Sequence, residues 1–150
     1  MVDYAARKEL AELIRHLIAG RITNLVFDER GEELSDSDDP AISAVFYKVW
    51  CLYDDFSEHR MTGDWRIDKP GRRVIARWIL FLQTDLGYQE RHTKPSEILR
   101  RLVSALTFGM LPALQKQTPE QLENAGVWPF FQRGEFEAAV RSPKLLAGTS

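Results

Sequence analysis

The sequence predicts an all-α protein, an irregular single-domain bundle of about five to seven helices. Three observations carry that prediction. Apolar residues recur at three- and four-residue steps in several separate stretches. Residues that start or stop helices bound those stretches: Asp3, Gly20, Asp39-Pro40, Pro95 and Thr118-Pro119. No run alternates apolar and polar residues as a half-buried strand does; Trp65-Arg66-Ile67 could extend, but no partner strand is evident nearby.

The first helix is expected over about Asp3 to Ala19, with Leu10, Leu13, Ile14, Leu17 and Ile18 as one apolar stripe. Asp3 can cap its start, and Gly20 suits the left-handed residue that ends a helix. Thr23 or Asn24 can cap a second, short helix from Leu25 to Arg30, ended by Gly31. Residues 1–30 thus form a helical hairpin, followed by a polar loop over 31–38. The segment 11–30 resembles the short bacterial helical hairpins called SHOCT domains at Gly20, Ile22, Thr23 and Phe27. It departs from them where Asn24, Leu25 and Val26 stand in place of acidic residues. The resemblance implies a hairpin and carries no function.

Asp38 to His59 reads as one long amphipathic helix. Asp39 is its N-cap, and Pro40 sits at the first helical position, where a missing N–H costs nothing. Ile42, Val45, Phe46, Val49, Leu52, Tyr53 and Phe56 form its core stripe. Ala44, Tyr47, Trp50 and Cys51 are not surface-like, so part of its second face is expected to be covered. Residues 60–71 connect to a helix over 72–84 that is apolar nearly all round. Such a helix is central, with Trp78 buried. Pro95 opens a helix with Ile98, Leu99, Leu102, Val103 and Leu106 on one side. Thr118-Pro119-Glu120-Gln121 is a capping box for another. Val127 to Phe131 is a proline-broken packed loop, and a last helix runs from about Gly134 to Arg141. Residues 143–150 form a loose tail.

The 150 residues suit one domain with one core. A net charge of −2 gives no whole-protein pull towards nucleic acid or anionic membrane. The single cysteine, Cys51, cannot form an internal disulfide, which fits a reducing compartment. The charged first helix is no signal peptide. The most apolar run, Val74 to Leu82, holds Arg77 and falls short of the roughly 20 residues of a membrane span. Cytoplasm and no membrane partner are the expectations.

Candidate chemistry is sparse. On one continuous helix, Asp55 and His59 would share a face with metal-ligand spacing, with His92, Asp85 or Glu58 as a third ligand. A plain surface pair at a helix end explains the same spacing and is preferred. Asp85 would fall inside the apolar face of a continued helix 72–84, paired or capping a turn. Asp36-Ser37-Asp38-Asp39 lacks the glycine and distant glutamate of a calcium loop. Trp65, Arg66, Lys69, Arg72, Arg73 and Arg77 could hold phosphates with a stacked base. Cys51 has no evident activating base in sequence. Residues 28–39, in contrast, hold seven acids and one base, Arg30. Glu29, Glu32, Glu33, Asp36 and Asp38 are the candidate partner-binding residues.

The expected function is therefore non-enzymatic: binding of another protein, a basic one, by an immunity-type or regulatory adaptor without a cofactor. A metal-dependent hydrolase using Asp55, His59 and His92 is the alternative. Weak nucleic-acid binding through residues 65–77 is a third, less favoured, reading.

Overall fold

Asp3 starts the first helix by accepting the Ala6 N–H at 3.0 Å. Helix α1 then runs Tyr4–Ile18, and Gly20 follows at φ +67. A side chain at Gly20 would meet Thr62 as well as the strain of that φ. The computed structural model describes residues 1–54, 56–89 and 126–142. Among them are five α-helices and no sheet; the one β-bridge joins Thr23 to Arg60. The all-α expectation holds.

Helix α2 runs Asn24–Ser35, capped by Thr23, which accepts the Val26 N–H. It passes straight through Gly31, where a terminator and then a polar loop are expected from sequence. Gly31 is there for packing: a Cβ would overlap the Phe46 ring. The missing side chain lets α2 lie close against α3, which runs Pro40–Trp50 from the Asp39 cap.

Helix α3 stops at Trp50 and does not reach His59. Its C-cap is Cys51. The following backbone is captured by Asn24, a buried side chain of α2. Asn24 Nδ2 donates to the carbonyls of Asp54 and Ser57, at 3.0 and 2.9 Å. Its Oδ1 accepts the His59 N–H at 2.8 Å, and its own N–H donates to the His59 carbonyl. These bonds give backbone groups of Asp54, Ser57 and His59 the partners that a continued helix would otherwise supply. Leu52 and Phe56, expected in the core, are consequently exposed, Phe56 at 94%. Tyr53 still packs on the core and donates its hydroxyl to Asp28.

Helix α4 runs Lys69–Leu82, three residues earlier at its start than its apolar pattern suggests, because Asp68 caps it through the Gly71 N–H. Helix α5 runs Arg133–Arg141, with Glu135 closing a capping box on Gln132. One core cluster gathers Leu10, Leu13, Ile14 and Leu17 with Phe27, Ile42, Val45, Phe46, Val49, Ile75 and Trp78. A second joins Ala41, Phe81, Val127, Phe130 and Ala139. α4 supplies residues to both clusters and touches α1, α3 and α5, so it is central; α3, which also supplies both and touches α1, α2 and α4, and α1, which touches α2, α3 and α4, are equally so. Trp78 is buried, with Trp128 edge-on at 5.5 Å. Arg77 holds that loop by donating to the carbonyls of Trp128, at 2.9 Å, and Gly126. The helices expected over 95–106 and after Thr118, and the tail 143–150, lie outside the described residues.

Between α1, α3 and the end of α4 sits a buried ionic knot that the sequence pattern does not announce. Arg7 and Asp39 are both buried. Arg7 Nε donates to Asp39 Oδ2 at 2.6 Å and Nη2 to Oδ1 at 3.1 Å. Its Nη1 donates to the carbonyls of Thr84 and Leu86, at 3.0 and 2.9 Å. The guanidinium also lies over the Phe81 ring. Asp39 further accepts the N–H groups of Asp3 and Ala41. Every strong polar group of the pair is thus engaged, the condition under which a buried ion pair is tolerated.

Candidate functional site

The candidate partner-binding acids are Glu29, Glu32, Glu33, Asp36 and Asp38, and all five are exposed. The helix expected only as far as Arg30 carries Glu29 and continues to Ser35 through most of what the sequence reads as a loop. At about 100° per residue, Glu29, Glu32, Glu33 and the cap position Asp36 fall in one stripe. Leu25 and Val26 lie on the same side, one turn earlier, and are also exposed. Among the described residues, no side chain pairs with the carboxylates of Glu29, Glu32 or Glu33. Arg30, the base in this run, reaches back to Glu9 of α1 at 3.1 Å. Arg77 is spent on carbonyls instead. Asp36 and Asp38 border a shallow open concavity of about 590 Å³, shared with Met1, Asp3 and Tyr4.

This placement has an electrostatic cost. Glu32, Glu33 and Asp36 sit at the C-terminal end of α2, where the helix dipole is negative and no base stands in the last turn. Each such acid is disfavoured by about 0.3–1 kcal/mol, and each like-charged pair four apart by about 0.2–0.5 kcal/mol. Asp39, in contrast, has a structural task. Burial pushes its carboxyl up, but the bonds from Arg7 and the Asp3 and Ala41 N–H groups outweigh it and hold the pKa below 3.8. Asp3 is lowered too, first by the Ala6 N–H and then by the Ser37 hydroxyl.

Near the Glu32 edge of the acidic stripe lie exposed aromatics of α3. Tyr47 is 56% and Trp50 41% exposed on the outer side of α3, with Cys51 exposed next to them. Of the residues expected to be partly covered on this face, Ala44 is half-buried, while Tyr47, Trp50 and Cys51 are exposed. Trp50 stands about 40° and Tyr47 about 100° round from Phe46, whose ring meets Gly31 of α2. Ile42, Val45 and Val49, on the other side of Phe46, are buried. The exposed aromatics therefore adjoin α2. They adjoin the flank bearing Asp28, which is bonded to Tyr53, and not the flank bearing Arg30, which is bonded to α1. Sequence reasoning passed over Tyr47 and Trp50 as candidates; the available signal was two aromatics off the apolar stripe.

The early end of α3 removes the shared helix face on which pairing of Asp55 with His59 rests. Asp55 and His92 lie outside the described residues. His59 is stacked on Trp65, with ring centroids 3.9 Å apart, and its Nδ1 is 2.8 Å from the Ser57 carbonyl. Glu58 accepts the Thr23 hydroxyl proton. Among the described residues, no three His, Cys, Asp or Glu side chains are grouped so as to hold a metal ion. Asp85 is exposed, because α4 ends at Leu82; Thr84 takes the buried place near the helix end.

Of the nucleic-acid candidates, Arg66, Arg72 and Arg73 are exposed, as is Trp65. One face of Trp65 is already covered by His59, and Arg77 is committed to the Trp128 loop, where burial lowers its pKa. No helix among the described residues is long and apolar enough to cross a membrane. Comparison with protein-family models, with curated proteins and with solved structures finds no match. The likeness of residues 11–30 to a SHOCT hairpin remains one of cap chemistry at Gly20 and Thr23.

Proposed function

We propose that this protein is a non-enzymatic, adaptor- or immunity-type binding protein that docks a basic protein partner on the outer face of α2. One observation carries the reading. Glu29, Glu32 and Glu33 are exposed in a single stripe without a partner among the described residues, and Glu32 and Glu33 sit at a helix end that disfavours them. Local folding does not account for acids in that place; neutralisation by a cationic partner does. Rim charges of this kind steer encounter and set association rate, and salt screens them over about 8 Å.

The test is capture from the native cell by the wild-type chain and by Glu29→Ser/Glu32→Ser/Glu33→Ser, followed by association kinetics of the retained protein. A basic protein should be held by the wild type and lost by the triple variant. Its association rate should fall several-fold on substitution and again from low to physiological salt. Equal capture by both chains, or a rate indifferent to salt and substitution, would reduce the stripe to a solvated helix face.

A further inference from the structure

We propose that Tyr47 and Trp50 of α3 are the apolar anchor of the same docking surface, and that its occupant is a basic amphipathic helix of a partner protein. The inference rests on the acidic-face reading and adds the kind of segment that binds. Two helices set the surface. α2 contributes Glu32 with the exposed Leu25, and Glu29 at its outer margin; α3 contributes Trp50 and Tyr47. They are held together by Gly31 against Phe46 and by the Tyr53 hydroxyl on Asp28. Exposed aromatics with a carboxylate, Glu32, on the adjoining flank and further acids beyond it are complementary to a helix with an apolar stripe flanked by lysines or arginines. Tryptophan and tyrosine are the residues that most often carry binding energy when a partner desolvates them. Half-exposed, they still have apolar surface to bury. The neighbouring carboxylates repel phosphates, which favours a cationic helix over a nucleic acid on this face.

The probe is a synthetic helical peptide of leucine and lysine with one apolar face, beside a lysine–glutamine peptide of equal charge without one. The full chain should bind the first peptide at least tenfold more tightly than the second. Tyr47→Ser/Trp50→Ser should abolish that preference while leaving the weak, salt-sensitive binding of the second peptide. The acidic triple variant should weaken both peptides. The peptide should also shield a tryptophan from acrylamide, and Trp50→Phe should remove that shielding without removing binding. Unchanged thermal melts confirm that the variants fold, as expected for exposed positions. If the triple variant loses both peptides but the aromatic variant still prefers the first, the anchor assignment fails and the acidic reading stands. If neither variant alters binding of either peptide, both fail. Concentration-dependent dimerisation that excludes the peptide, or displacement of the peptide by single-stranded RNA, would overturn the proposed occupant.

Discussion

Asp38 and Asp39 are neighbours in the chain and opposites in the fold. Asp39 is closed into a knot with Arg7, while Asp38 faces solvent beside the acidic end of α2. In the knot, two charges hold three segments together: α1, the start of α3 and the carbonyls after α4. In the stripe, Glu32 and Glu33 disfavour the helix end they sit on, Glu29 stands four residues before the like-charged Glu33, and the three hold nothing among the described residues. The same residue types are structural where every lone pair has a donor, and available for recognition where water supplies the donors. What separates the two is geometry around the carboxylate, not its chemistry.

The sharpest way to break this comparison is Arg7→Ala. It strands Asp39 as a buried, uncompensated charge and frees the Thr84 and Leu86 carbonyls, so it should cost about 3–5 kcal/mol in denaturant unfolding. A loss below about 1 kcal/mol would place the knot with ordinary surface pairs.

Gly31→Ala tests the opposite face of the helix that bears the stripe. Alanine gains up to about 1 kcal/mol of helix propensity, but overpacking against Phe46 costs about 1–3 kcal/mol. A net loss of about 1–2 kcal/mol is expected from melting curves. A gain would mean that α2 and α3 can separate slightly at no cost, and that the flank joining the stripe to Trp50 is not rigid.

The smallest effect is in pH, because burial and hydrogen bonding oppose each other at Asp39. The Asp39 and Asp3 carboxyls have folded pKa values below their ordinary 3.8. The unfolded chain therefore binds protons first as pH falls, and their stabilisation is complete above about pH 5. It declines through pH 4 and is gone below the folded values. Asp39→Asn should flatten the acid limb of the stability–pH curve read from denaturant unfolding. A limb as steep as that of the wild type would show that the knot does not set it.

Much of the helical scaffold is legible in the residues because its determinants are local. Asp3, Thr23 and Asp39 cap the helices they are expected to cap, and the stripes Leu10–Leu17 and Ile42–Val49 are buried. Periodicity and cap chemistry act over one or two turns, so a single chain displays them. The errors arise where a distant group intervenes. Gly31 reads as a stop, yet the Phe46 ring 15 residues on makes it a packing glycine inside α2. The apolar stripe continues past Trp50, yet Asn24 takes the backbone that would have prolonged α3. The acids of 28–39 are equivalent as a list, and only the register of α2 sorts Glu29, Glu32 and Glu33 into one line. Arg7 looks like a surface charge on an amphipathic helix until Asp39, Thr84 and Leu86 close around it. Sequence by itself therefore determined which segments become helices and which residues can start them. Where α2 and α3 end, which charges are buried, and that Tyr47 and Trp50 are exposed on the flank of Glu32 depend on contacts more than a dozen residues apart. Such contacts leave no local pattern, because the chain brings them together only when it folds.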